Sequence, residues 1–582
     1  MTIGYIVSDE QKVPKAYVKK RAFPPDAPPP AYPTLDLNQI IERTLKESAD
    51  ARAEPFVFDE PIKSVAVIGA GPAGLPTAKA LQEHGISVRI FERMEDVGGV
   101  WLYSDEPDTK PSVPCDTYST HKKLQSSSVP SEPSEKTNTI VEATADERLN
   151  KLKHAPPTAC YPDLHNNTAA PIMMDFEDFP WPDGTPYYVP HGEVQQYYKN
   201  YAQHFGLYDI MELNTRVEYV ERRQAKPADD LDDGDDKKWQ LTLRKAEYID
   251  NGSKIQYTTW TESFDAVAVA SGAYNDPFIP DFPKLHEYNA SYPERIIHSK
   301  QYRHYQYYAG KNVLIVGGNI SAIDIAQRLD GIASNVYMSI RGNFKSVSNI
   351  LNLARSVLPD STIHKPNIGA FADPEGHVNG SITFEDNTVL YNIDHVIFCT
   401  GFVNDLGFLG PLRTYGTEPE DGTDEEEGCA QQTERPLVVT NGSRPINTYR
   451  DIFAILDPTL AFVGTPGHLT STQFFYYQGQ AVARVWAGLA WIPCYKKMRD
   501  HIKTNMYPFP PFDMNLLGCI LHAQPFVTWL NDHAKYSNKN DVGELYKLKG
   551  VDPSLAKLWD GIKEQYKDRT TEILAKRKNI SS

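Results

Sequence analysis

Gly69-Ala70-Gly71-Pro72-Ala73-Gly74 spaces three glycines as G-x-G-x-x-G, a pattern whose chemistry is the holding of phosphate. Gly69 permits a tight turn. Gly71 lets backbone approach a pyrophosphate, whose charge is favoured at a helix N-terminus. Gly74 lets helix and strand pack closely, and Pro72 and Ala73 complete the turn. Glu92 ends the next apolar run, where a carboxylate can accept hydrogen bonds from a ribose diol. Together these residues predict a dinucleotide site; the ordinary alternative is a glycine-rich turn without ligand. A second turn, Gly317-Gly318-Asn319-Ile320-Ser321-Ala322, is degenerate, with Asn319 and Ala322 where the second and third glycines would stand. Asn tolerates left-handed backbone and Ala is small, so the turn is expected to survive. The run after it, Asn335 to Ile340, ends at Arg341 rather than at an acid. A carboxylate would repel a 2′-phosphate and a guanidinium attracts one, so this site should prefer NADPH to NADH, with Lys345 as a helper. The alternative is a surface arginine at a strand end.

These residues need strands and helices to place them. Ser64 to Ile68 is a short apolar run of buried-strand character directly before the first turn, and Leu75, Ala78 and Leu81 open a helix pattern after it. Val88 to Phe91 predicts the strand that carries Glu92. Asn312 to Val316 repeats the arrangement before the second turn, with Ile320, Ile323 and Leu329 suited to a helix face on a sheet. Phe264 to Ala270, ending in Ser271-Gly272, and Val396 to Cys399, ending in Thr400-Gly401-Phe402, read as two further strands.

At 582 residues the chain is long enough for roughly three to four domain-sized units. Lys+Arg number 59 against 76 Asp+Glu, a net charge of −17, which argues against nucleic acid and anionic membrane surfaces as partners. Hydrophobic residues at 40% supply a core. The six cysteines include no C-x-x-C pair, which removes zinc ribbons and dithiol redox centres of that spacing. Asp9 and Glu10 precede any apolar run, so no secretory signal is expected and the cytosol is the default compartment. Ala481 to Ile492 is too short to span a bilayer and reads as a buried helix. Residues 1–60 form a Pro-rich extension, with a helix from Leu35 to Ala53. Residues 104–157, Asp229 to Asp236 and Glu418 to Glu427 read as loops.

Asp96-Val97-Gly98-Gly99-Val100-Trp101, placed just after the ribose acid, resembles a block of the flavin-containing monooxygenase family. GGNISAIDIA resembles that family's second nucleotide motif. Tyr292 to Tyr302 matches its identifying stretch F-x-G-x-x-x-H-x-x-x-(Y/F/W) at His298 and Tyr302, with Tyr292 for Phe and Glu294 for Gly. Tyr161-x-x-Leu164-x-x-Asn167, Met173-Met174, Asp178-Phe179-Pro180-Trp181-Pro182, and His191-Gly192-Glu193-Val194 are similar to further family blocks, as are Leu460 to Gly464 and Gln478 to Ala481. The likeness runs from about Ile62 to about Gly488.

The resemblance implies an α/β fold of two Rossmann-like dinucleotide-binding domains, the NADP domain inserted in the FAD domain. Residues 61–272 (with the flexible insertion 104–157) and 400–582 would form the FAD part and a C-terminal helical region, and residues 273–399 the NADP domain. It implies FAD and NADPH as cofactors, with Gly99, Val100 and Trp101 on FAD and Gly317, Gly318, Asn319, Ser321 and Arg341 on NADPH. It implies a flavin C4a-hydroperoxide formed with O₂, which oxygenates the amine nitrogen or sulfur of a small molecule. Asn167 would reach the flavin and the oxygen-binding space, and His298 reads as a structural histidine at a domain junction. Such chemistry needs no Ser-His-Asp set and no metal. Two alternatives remain open. One is a Baeyer–Villiger enzyme, against which Tyr302-Arg303 stands where those relatives carry Trp-Pro. The other is a non-catalytic NADP-binding interaction protein.

Overall fold

The computed structural model describes residues 37–115, 136–161, 174–186, 188–223, 238–342, 344, 349–416, 436–465, 471–504, 516–536, 547–550 and 568. Asn167, Lys345, the Pro-rich residues up to 36 and both acidic runs lie outside them.

Two sheets organise the chain. The first has seven strands, with Ser64–Ile68 between Ala266–Val269 and Ser87–Phe91, both parallel to it. Side chains alternate across its faces. Val65 and Val67 join a core with helices Gly74–Glu83 and Ser471–Trp486, while Ala66 and Ile68 join a second core with Trp239, Leu241 and Leu243 of an antiparallel four-stranded sheet. Burial on both faces explains why this strand reads as an unbroken apolar run. The second sheet has five parallel strands. Asn312–Val316 lies between His395–Phe398 and Asn335–Ser339, the same arrangement as in the first. Val313 and Ile315 face one core and Leu314 and Val316 the other. Asp276–Pro277 and Phe402–Val403 pair antiparallel where the chain leaves the first sheet and returns to it.

Three expectations need correction. The insertion 104–157 is not all loop, since Thr137–Glu142 pairs with Lys254–Phe264 and Ala145–His154 is a helix. That strand is an exposed edge, so no hydrophobic alternation marked it. The loop reading passed over the Thr-x-x-Glu pattern at Thr144 and Glu147, where the Thr144 hydroxyl accepts from the Glu147 N–H at 3.3 Å. The expected strand Phe264 to Ala270 is two strands. Asp265 turns the corner between them, its carboxylate accepting from the backbone N–H groups of Lys63 and Ser64 and from the Ser64 hydroxyl. The expected helix Ala481 to Ile492 stops at Trp486, because Gly488 is left-handed (φ 71°) and the Leu489 N–H turns back to Arg484 O at 2.7 Å. No helix among the described residues is long and apolar enough to cross a membrane.

Candidate functional site

The carboxyl ends of the two central strands carry the two glycine turns, the position where open α/β sheets bind ligands. At the first, Gly69 is left-handed (φ 107°), and its N–H donates to Phe91 O at 2.9 Å. A Cβ on Gly69 would lie 2.6 Å from Ala270 O, and one on Gly74 only 1.8 Å from Gly69 O. Gly71 and Gly99 face each other: a Cβ on Gly71 would sit 3.3 Å from Gly99 Cα, and one on Gly99 3.0 Å from Gly71 Cα and 3.3 Å from Pro72 Cδ. The G-x-G-x-x-G and Gly-Gly-Val-Trp segments thus form one bare backbone cradle, which any side chain would fill. Val100 and the buried Trp101 continue from it in a short 3-10 turn.

Acids shape this cradle. Glu92 is buried, and its carboxylate accepts from Ala70 N–H at 2.7 Å and Met94 N–H at 2.9 Å. Each oxygen keeps a second lone pair for a ribose hydroxyl. Asp96 accepts from Val97 N–H at 2.8 Å and the Tyr208 hydroxyl at 2.9 Å, and pairs with Lys199 at 2.6 Å. Burial pushes the Asp96 carboxyl up, but these donors and the Lys199 charge outweigh it and hold it below the usual range. A third segment closes in: Gly464, left-handed at φ 102°, would place a Cβ 3.1 Å from Ala73 Cβ. Its N–H donates to buried Gln478 Oε1 at 3.0 Å, and Gln478 Nε2 donates to Thr465 O at 2.6 Å. Gln478 lay in a recognisable block, but nothing in the sequence marked this role.

The second turn repeats the first. Gly317 is left-handed (φ 128°), its N–H donates to Ser339 O at 2.9 Å, and a Cβ there would lie 2.5 Å from Cys399 O. Asn319 departs from expectation. It is extended (φ −98°, ψ −174°) and precedes helix Ile320–Leu329, so the left-handed geometry falls wholly on Gly317 and the missing glycine costs nothing in backbone strain. Ser321 stands in the first helical turn, and Arg341 is exposed two residues past strand Asn335–Ser339. Gly318 is crowded by a residue that the sequence reading missed, Arg355, whose Nη2 would lie 2.9 Å from a Cβ there.

Buried polar contacts tie the two halves together. The Tyr161 hydroxyl donates to the carboxylate of Asp324 in helix Ile320–Leu329, and the Tyr161 ring packs edge-on against Tyr302 at 5.2 Å. Burial and then Asp324 raise the Tyr161 pKa well above the ordinary tyrosine value. Tyr161, the first residue of the block that contains Asn167, is therefore anchored on the helix that follows the second glycine turn. His298 is fully buried. Its Nδ1 accepts from Lys300 N–H at 3.2 Å, which leaves Nε2–H to donate to Gly401 O at 3.0 Å. Burial pulls its pKa down to about 3, so it stays neutral, as a structural histidine would. Lys300 reaches Asp108 at 2.6 Å and Asn275 at 3.3 Å, and Arg93, next to Glu92, also donates to Asn275 at 2.6 Å. Arg303 donates to the carbonyls of Ser104 and Thr158 on one side and of Lys300 and Tyr302 on the other.

The arrangement can hold two phosphate-bearing nucleotides against one junction. Residues 156–354 match the flavin-binding monooxygenase-like family, and residues 67–124 match an NAD(P)-binding Rossmann-like domain. The chain is 28% identical to flavin-containing monooxygenase ustF2 of Aspergillus flavus, over 86% of this chain and 97% of that one. It is 32% identical to flavin-containing monooxygenase iboF of Amanita muscaria, over 76% and 82%. Among solved structures, S-allyl-L-cysteine S-oxygenase from Allium sativum shares the fold, with a TM-score of 0.55 and 22% identity, covering 88% of this chain and 98% of that one. The glycine cradles, the buried junction and these relatives lead to one conclusion: the chain belongs to the flavin-containing monooxygenase family and is an FAD- and NADPH-dependent monooxygenase.

Proposed function

We propose that the first turn holds FAD and the second NADPH, and that the substrate is a small molecule with a soft nucleophilic nitrogen or sulfur. In this reading residues 61–272 and 400–582 serve FAD and residues 273–399 serve NADPH. Gly69, Gly71, Pro72, Ala73, Gly74, Glu92, Gly99, Val100 and Trp101 contact the flavin nucleotide. Gly317, Gly318, Asn319, Ser321 and Arg341 contact the coenzyme. Asn167 donates a hydrogen bond near the flavin. The observation that carries this is the repetition of one construction at two strand ends: a left-handed glycine pressed on the carbonyl of a neighbouring strand, with bare backbone beside it.

When bound, FAD supplies the redox and oxygen-activating chemistry. The chain's own residues do the rest. The N-terminal ends of helices Gly74–Glu83 and Ile320–Leu329 offer the positive end of the helix dipole to phosphate. Glu92 stiffens the first turn while its spare lone pairs face a ribose. The Lys300, Asn275 and Arg93 chain would hold the two nucleotide sites in place relative to each other, and Tyr161 ties the junction to helix Ile320–Leu329. Arg303 braces the junction through carbonyl contacts that a Trp-Pro pair could not make, and Tyr302-Arg303 stands where Baeyer–Villiger relatives carry Trp-Pro.

The test starts from the purified protein's visible spectrum, followed by anaerobic addition of NADPH and then air with a panel of amines and thioethers. Yellow protein, bleaching by NADPH and N- or S-oxide formed in step with NADPH use are the expected results. Colourless protein, or colour that NADPH does not bleach, overturns the reading. Esters formed from a ketone panel would move it to the Baeyer–Villiger alternative.

A further inference from the structure

Arg355 ends the short helix Asn349–Arg355 and is 7% exposed. Its Nε and Nη2 both donate to the Gly318 carbonyl, at 2.9 and 2.7 Å, and Nη1 donates to the Phe344 carbonyl. The guanidinium also lies 5.5 Å from the centroid of the Phe344 ring, which packs against His364 at 4.5 Å. Burial, and then the Arg355 charge, lower the His364 pKa, so the titratable group facing Arg355 is no anion. Among the described residues no carboxylate pairs with Arg355. Burial draws its own pKa down to about 10, which leaves it a cation at neutral pH.

Gly318 occupies the position that Ala70 occupies in the first turn, between the left-handed glycine and the residue that approaches phosphate. Ala70 is held by an anion, Glu92, through its N–H. Gly318 is held by a cation, Arg355, through its carbonyl, and it must be glycine because a Cβ would lie 2.9 Å from Nη2 and 3.0 Å from Ile340 Cδ1. Among the described residues three of the five guanidinium hydrogens are used, which leaves one on each Nη. A buried cation satisfied only by carbonyls carries a desolvation cost that an arriving anion can offset.

We propose that Arg355 is the counter-cation of the coenzyme's pyrophosphate, and that it fixes the second turn through the Gly318 carbonyl. The proposal rests on the assignment of this turn to NADPH. It separates two arginines by chemistry. The pyrophosphate is common to NADPH and NADH, so Arg355 serves both alike. The 2′-phosphate belongs to NADPH alone, and Arg341 serves that.

The measurement is equilibrium binding of NADP⁺ and NAD⁺ to the oxidised, FAD-loaded full chain, followed by fluorescence. Arg355→Met should weaken both ligands by a similar factor, roughly ten- to a hundredfold, with FAD content kept. Arg341→Ala should weaken NADP⁺ only. If Arg355→Met does not fold, Arg355→Gln decides, since it keeps a donor for the Gly318 carbonyl and removes the charge; it too should weaken both ligands. Wild-type affinity for both in a folded, FAD-loaded variant overturns the proposal, as does a loss confined to NADP⁺. Wild-type protein that binds FAD but neither ligand would instead remove the NADPH assignment of the second turn.

Discussion

Arg341 stands exposed just past a strand end, where its donors can meet a 2′-phosphate from the solvent side. Arg341→Ala is expected to raise KM for NADPH much more than for NADH in steady-state assays; equal effects would remove the 2′-phosphate role. His298 gives a prediction in pH. Folded, its imidazole stays neutral to about pH 3, whereas the unfolded chain takes up the proton near the ordinary value of 6.5. Between those values the unfolded state binds the extra proton. The contribution to stability is therefore full above about 6.5 and is lost as pH falls toward 3, with a slope of at most about 1.4 kcal/mol per pH unit. His298→Gln should flatten the pH dependence of urea unfolding between pH 7 and 5; parallel dependences would place the acid sensitivity elsewhere. At Tyr161 the expected effect is on function. Tyr161→Phe removes the donor to Asp324, and the variant should keep FAD yet release more H₂O₂ per NADPH consumed. Unchanged coupling would mean that the segment toward Asn167 holds without this anchor.

The glycine turns are where sequence and structure agree at the level of elements, and the reason is steric. Backbone pressed on backbone leaves no room for a Cβ, so glycine is enforced and its spacing is readable. Gly74→Ala should give protein that no longer retains FAD on gel filtration, because its Cβ would fall 1.8 Å from Gly69 O. Gly192→Ala is the control: it has open space in the first turn of helix His191–His204 and should leave FAD content unchanged. Strands buried on both faces, such as Ser64–Ile68 and Asn312–Val316, were legible for a similar reason, since each buries every residue but one or none. What was not legible depended on distant partners. Strand Thr137–Glu142 is exposed and exists because Lys254–Phe264 offers it an edge. Arg355, Gln478 and Asp324 act through contacts with residues 13 to 163 positions away, which no local pattern records. The degenerate second turn was legible in outline, but Asn319 was expected to tolerate left-handed backbone when the geometry places that conformation on Gly317.

Across the whole molecule, segments near the two ends of the chain meet. Helix Leu37–Ala53 packs on helix Leu516–Ala534: Ser48 and Arg52 both donate to Asp532, at 2.8 and 2.7 Å, and the Arg52 guanidinium lies 3.9 Å from the Tyr536 ring centroid. Glu47 adds an ion pair to Arg450, which in turn covers Trp529. Removing residues 1–53 should therefore lower the melting temperature by several degrees, read from the release of FAD fluorescence on heating. An unchanged melting curve would show that the C-terminal helix keeps its place unaided. The first helix was visible in the sequence, whereas its partner was covered only by the expectation of a C-terminal helical region, without bounds. The pairing of Asp276–Pro277 with Phe402–Val403 reaches further. It sets Pro277 opposite Phe402, so everything between them begins and ends at one place. A stretch with adjoining ends is portable. Both arginines that would read the coenzyme travel inside it, and every residue of the first cradle stays behind. Exchanging residues 277–402 for the same stretch of a relative should transplant the choice of electron donor as a single cassette, while the flavin and its oxygen chemistry remain with the host.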